Sequence, residues 1–130
     1  MSAGRGTVYA FGVLRAVPHV HLGVFVNVGL VLHARQARLL RVRFADAAPV
    51  ARAVRIEPAL LARFFDAYRR VGEADDAGAV GLLPPSERFH WLTAPRSAVL
   101  QTSPVHTGRA GDLLAAFDHL FGMHVASFSV

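Results

Sequence analysis

The chain has 130 residues, 53% of them hydrophobic, with a mean hydropathy of +0.36 and a formal net charge of +5. That length fits one domain with a core of its own, and that hydrophobicity excludes intrinsic disorder. The lack of cysteine excludes disulfides, thiolate metal sites and a cysteine nucleophile, and the lack of lysine excludes a Schiff base and the lysine of a phosphate-binding loop.

Residues 1–7 have no charged head, apolar middle or cleavage box of a signal peptide. They read as a flexible tail, as does 126–130, and cytoplasmic residence is expected. Val8–Val17 is apolar on both alternations, so both faces of this first strand should be covered. Pro18–Gly23 is a turn-like break. Its His19-Val20-His21 has a spacing that can chelate a metal, but no HExxH pattern accompanies it, so surface histidines and no metal are expected. Val24–His33 is the second strand. Its apolar run, Val24–Leu32, is far short of the roughly 18 residues that cross a bilayer, so no membrane contact is expected. The short connector Ala34–Arg38 favours an antiparallel neighbour. In Leu39–Phe44, Leu40, Val42 and Phe44 alternate with Arg41 and Arg43. These three segments predict an antiparallel meander.

Asp46 is placed to cap a helix over Ala47–Arg55 that tolerates Pro49 in its first turn. From Pro58 to Val71, Leu60, Leu61, Phe64, Phe65, Tyr68 and Val71 form one helical stripe, which predicts a helix laid on the sheet. Glu73–Gly81 is acidic, carries glycine and reads as a mobile loop. Pro84-Pro85 ends it, and Ser86 is placed to cap the next helical turn. Ala98–Ser103 predicts a fourth strand. Asp112 then caps a last helix with Leu113, Leu114, Phe117, Leu120 and Phe121 inward, leaving His33, His119 and His124 peripheral.

All 14 basic residues are arginine, scattered from Arg5 to Arg109. Arginine without lysine, beside abundant Ala, Gly and Val, matches GC-rich coding. Binding to nucleic acid requires clustering. The closest group, Arg35, Arg38, Arg41 and Arg43, reads as solvated surface ahead of a nucleic-acid interface.

Ser86–Gly108 has the densest polar chemistry. At helical spacing Glu87 shares a face with His90 and Trp91, where it can orient the imidazole, while Arg88 can grip a carboxylate or phosphate in bidentate fashion. The bland alternative is a surface Glu–Arg pair beside buried Phe89 and Trp91. Thr93-Ala94-Pro95-Arg96-Ser97 adds a second arginine on a bent loop. Gln101–Gly108 is another polar run, bounded by Pro and Gly, whose N–H groups and hydroxyls can form an anion nest in turns, with His106 available as an acid or base, although Ser and Thr also satisfy turn backbone. The His-x-Thr/Ser pair of two-histidine phosphoesterases is not present. Asn27 is anomalous in an apolar strand, because a buried amide left unbonded costs about 1–3 kcal/mol. Arg15 is its expected neighbour across the hairpin. A structural amide bonded to loop backbone, with Gly29 permitting close approach, is the alternative.

Tyr9, Leu14-Arg15-Ala16-Val17-Pro18, the run Gly23–Leu32 and the stretch Ser86–Gly108, with its Gln101-Thr102-Ser103-Pro104-Val105-His106-Thr107-Gly108, resemble the bacterial domain-of-unknown-function 3037 family over nearly the whole chain. The family pattern commonly has an acidic residue after the first Pro and another before the Phe of the second strand; His19 and Val24 stand there. The family has no established activity. The resemblance implies a small accessory protein, with a HipA-like kinase as its partner.

The expected fold is α+β, an antiparallel sheet of about four strands with two or three helices packed on it. The expected function is an accessory or binding domain without a cofactor. Its pocket for an anionic ligand or partner segment would be lined by Arg15, Asn27, Arg88, His90, Arg96, Thr102, Ser103, His106 and Thr107. Two alternatives stand beside it. One is a metal-independent hydrolase or phosphotransfer enzyme using His106 or His90 as general acid/base, with Arg88 or Arg96 on the transition state. The other is a nucleic-acid binder acting through the basic surface.

Overall fold

The structure, a computed structural model, describes residues 6–19, 24–74, 81–94 and 100–125. It is built around one long strand, β1 (Thr7–His19), which starts inside the expected N-terminal tail. β2 (Val24–Ala34) pairs antiparallel with β1, and β3 (Leu39–Phe44) pairs antiparallel with β2 after the turn Arg35–Arg38. This is the predicted meander. β4 (Leu100–Thr102) and β5 (His106–Ala110) share the other edge of β1, β4 along Leu14–Ala16 and β5 along Thr7–Phe11. β4 lies within the predicted fourth strand, Ala98–Ser103. β5 is not expected from the sequence, and forms because β1 offers an edge that polar residues can join without an apolar pattern of their own.

Four helices are present among the described residues: α1 (Ala47–Val54), α2 (Pro58–Glu73), α3 (Pro85–Thr93) and α4 (Leu113–His124). Asp112 caps α4 as predicted, its carboxylate accepting the Ala115 N–H at 3.0 Å. α2 is capped by Glu57, which accepts the Leu60 N–H at 2.8 Å. Asp46 stands at the N-cap of α1 without a side-chain hydrogen bond, and Pro84, not Ser86, holds that position for α3. Leu60 and Leu114, expected inward, face solvent.

The sheet is covered on both faces, which is why β1 is apolar on both alternations. On one face Leu14, Ala16, Val28 and Val31 pack against Val50 and Val54 of α1, Leu61, Phe65 and Tyr68 of α2, and Phe89 and Leu92 of α3. On the other, Phe11, Val13, Leu30 and Leu32 pack against Phe117, Leu120 and Phe121 of α4. The register shifts between Leu14 and Arg15, where Leu14 faces Gly29 but Arg15 faces Asn27. This bulge puts Val28 and Gly29 on the three-helix side and frees Asn27 for the α4 side. Gly29 is needed there: a Cβ would stand 2.7 Å from the Phe44 ring and 2.9 Å from the Arg43 carbonyl.

Candidate functional site

The residues singled out from sequence divide between the two faces. Arg15 and Asn27 are cross-strand partners, as expected, on the α4 side. The Asn27 Nδ2 donates to the His124 carbonyl at the end of α4 at 3.2 Å, while its Oδ1 is buried with no hydrogen-bond partner among the described residues. His106 lies opposite Phe11 on the same face, ring against ring at 5.4 Å.

Arg88 and His90 sit on α3, across the sheet. The Arg88 guanidinium closes the end of α2: Nη1 donates to the Val71 and Gly72 carbonyls at 2.9 and 2.8 Å, and Nε donates to Leu83 O at 2.9 Å. The Val71 carbonyl also accepts the Ala74 N–H of the helix cap at 3.3 Å, and a cation at this helix end suits the helix dipole. His90 lines a separate hollow of about 420 Å³ with Leu83, Glu87, Trp91 and Ala94. The Thr102 hydroxyl points at the Leu92 carbonyl at 3.4 Å, under the end of α3. Ser103 is buried, its hydroxyl accepting the Val13 N–H and donating to Pro104 O, both at 2.9 Å. Thr107 is exposed opposite Ala10. Arg96 and Ser97 lie outside the described residues, as do His21, residues 75–80 of the expected loop, and the terminal stretches 1–5 and 126–130. The structure therefore does not bring Arg88 and His106 to one cavity.

It assembles a different constellation at the turn between β2 and β3. A hollow of about 470 Å³ is lined by His33 at the end of β2, Arg35 and Arg38 of the turn, and Pro84, Pro85 and Ser86 at the start of α3. Arg38 also lines a second hollow, of about 340 Å³, with Leu39, Leu40, Arg41, Val42, Gly72, Glu73 and Arg88. Both volumes are in the range of ligand pockets. Gly72 is required at the join of α2 and β3, since a Cβ would stand 2.4 Å from Val42 Cγ2.

Among the described residues, charge around the two hollows is mostly positive. Arg35, Arg38 and Arg41 are in no ion pair among the described residues, whereas Arg69 and Arg70 pair with Asp66 on α2, and Arg43 pairs with Asp118 and covers the Phe121 ring at 4.2 Å. Glu73, the carboxylate of the second hollow, is bound by Arg69 at 2.8 Å. His33 stacks on Phe89 with ring centroids 5.3 Å apart. Burial first, and then the charges of Arg35 and Arg88, hold its pKa below the ordinary imidazole value. Arg38 has φ of 51°, in the left-handed region that costs an L-residue roughly 1–2 kcal/mol and that glycine occupies freely. The other non-glycine residues with positive φ among the described residues, Arg55 and Ala74, sit at helix C-caps, where that conformation closes the helix.

The sequence alone places His33 at the periphery and these arginines on solvated surface. The grouping of Arg35, Arg38 and Arg41 was visible. Its approach to α3, some fifty residues away in the chain, was not, because no local pattern encodes it.

Among the described residues no group of three His, Cys, Asp or Glu is placed to hold a metal ion, and no helix is long and apolar enough to cross a membrane. The model of a family described as "Protein of unknown function (DUF3037)" matches residues 11–125. No curated protein and no solved structure matches the chain.

Proposed function

The chain belongs to the DUF3037 family, and from that premise we propose that it is a binding module for anionic groups, with its site at the β2–β3 turn. The observation that carries this reading is Arg38, which is common to two adjoining hollows and is held in a backbone conformation that glycine would adopt at less cost. A left-handed residue closes many hairpin turns, and such backbone conformations also cluster at ligand clamps. Arg35 and Arg38 supply charge and a planar fork for carboxylate or phosphate, and Arg41 and Arg88 extend the positive field. His33 adds a donor that gains a proton as an anion enters.

Geometry favours binding over turnover. Of the candidate groups for turnover, His106 lies across the sheet from Arg88, and Arg88, on the same helix as His90, is occupied by three carbonyls. It also favours a compact anion over a nucleic-acid duplex, because Arg43, Arg69 and Arg70 are neutralised by their own carboxylates. A HipA-like kinase, suggested by the family resemblance, is a candidate source of the anionic group.

Inorganic pyrophosphate is the direct probe. It is expected to raise the Tm of the wild-type protein in a concentration-dependent manner and to leave that of Arg38→Gly unmoved, since only binding to the folded state shifts unfolding. An equal rise in both proteins overturns the assignment of the site, and no rise in either overturns the anion-binding reading.

A further inference from the structure

The second hollow has a property that a site for a compact anion does not need. It is lined by Arg38, Leu39, Leu40, Arg41 and Val42, five consecutive residues. Neighbouring residues of a strand point to opposite faces. A hollow touching the four strand residues Leu39–Val42 therefore runs along the strand's edge, for about 10 Å at 3.3 Å per residue, and reaches Arg38 of the turn. This is the outer edge of the sheet: β3 pairs with β2 on one side, and among the described residues no strand pairs with it on the other. Nor does any backbone hydrogen bond among the described residues join Leu39–Arg43 to a segment other than β2.

We propose that the occupant is an extended acidic segment of a partner protein, which adds as a strand to the outer edge of β3 and sets its carboxylates against Arg38 and Arg41. The inference rests on the anion-binding reading above and specifies its ligand. Charge selects this occupant. A second copy of β3 would bring Arg38 and Arg41 against the same two arginines, and like charges across an edge keep strands apart. An acidic strand meets the same arginines with opposite sign, so they exclude self-association and admit the partner. Leu40 and Val42 offer apolar contact between the arginines, and the open N–H and C=O groups supply the ladder that strand addition uses. At the turn the groove continues into the hollow of His33, Arg35 and Ser86, where the end of the segment would place one more carboxylate.

The probe is a capped octapeptide of alternating Val and Glu, followed by fluorescence anisotropy and by the amide NMR shifts of Leu39–Phe44. Three controls accompany it: the Val/Gln version, a Val/Glu version N-methylated at alternate amides, and a DNA duplex of matched charge. Expected are binding of the Val/Glu peptide with shifts confined to β3 and the turn, about tenfold weaker binding of the Val/Gln and N-methylated peptides, and about tenfold weaker binding to Arg41→Gln. Equal affinity of the N-methylated peptide overturns strand addition, and tighter binding of the duplex overturns the choice of partner. Pyrophosphate binding that is sensitive to Arg38→Gly, without peptide binding, sinks this inference alone and leaves the anion site standing. Failure of both ligands sinks both. Arg41→Gln is an exposed substitution and is expected to fold.

Discussion

Among the described residues, three helices from two stretches of chain converge on Leu14, Ala16, Val28 and Val31 on one face of the sheet, and on the other α4 is the one helix packed on Phe11, Val13, Leu30 and Leu32. Polar residues within these layers serve different ends. On the α4 side the Asn27 amide and the Arg43 guanidinium fasten the helix to the sheet. On the three-helix side hollows lie between the end of α2, the start of α3 and the β2–β3 turn, edged with Arg35, Arg38 and Arg41, which are in no ion pair among the described residues. A face covered by one helix can be sealed along its length, whereas a face covered by several leaves a seam where they meet. The proposed site lies at such a seam.

The largest test of this contrast is core truncation. Leu61→Ala, at a fully buried position under α2, is expected to cost about 3–4 kcal/mol, and Leu120→Ala on α4 about 2 kcal/mol. Urea denaturation reads both, and a larger loss at Leu120 would reverse the ranking of the two faces. Gly72→Ala drives a Cβ into Val42 and is expected to cost about 1–3 kcal/mol while weakening pyrophosphate binding, because the wall of the second hollow must move. Asn27→Ala is expected to cost about 1–2 kcal/mol and to leave pyrophosphate affinity unchanged, since it loosens only the α4 face. Arg38→Gly should alter stability by no more than about 1 kcal/mol, toward greater stability, while anion affinity falls at least tenfold. A variant that lost stability and binding together would make Arg38 a folding residue.

The smallest effect concerns protons. The folded state holds the His33 pKa below its value in the unfolded chain, so the unfolded chain binds the proton more readily. The contribution of His33 to stability is therefore complete above the ordinary imidazole range and is lost as pH falls through that range toward the lowered native value. His33→Gln should remove this part of the pH dependence in thermal melts. An anion seated against Arg35 opposes the field that lowers the pKa, so binding should take up protons. Titration calorimetry in buffers of different ionisation heat measures that uptake, and identical heats for wild type and His33→Gln would remove His33 from the site.

Much of the architecture was legible because burial writes periodicity into a sequence. β1 is apolar on both alternations since both of its faces are covered, and α2 shows its stripe since only one of its faces is. The pairing of Arg15 with Asn27 followed from two polar anomalies in facing strands. β5 was missed for the converse reason: His106, Thr107 and Arg109 are exposed, so this edge strand carries no apolar alternation. Nothing around Arg88 in sequence reveals the carbonyls of Val71 and Gly72 to which it donates. The seam at the turn was the least legible feature, since it depends on where two distant helix ends come to rest.

The two attachments of β1 lie very unequally along the chain. Its partner β2 follows almost at once, but β5 closes against it from Ala110 back to Thr7, across most of the polypeptide. During synthesis the meander and the first helices can form while that second edge still waits for residues not yet made. Loop closure over such a span is slow, and an unpaired apolar strand edge invites the wrong neighbour. A ribosome stalled before residue 100 would thus present a half-built sheet, and chaperone capture of that nascent chain should cease once β5 has emerged.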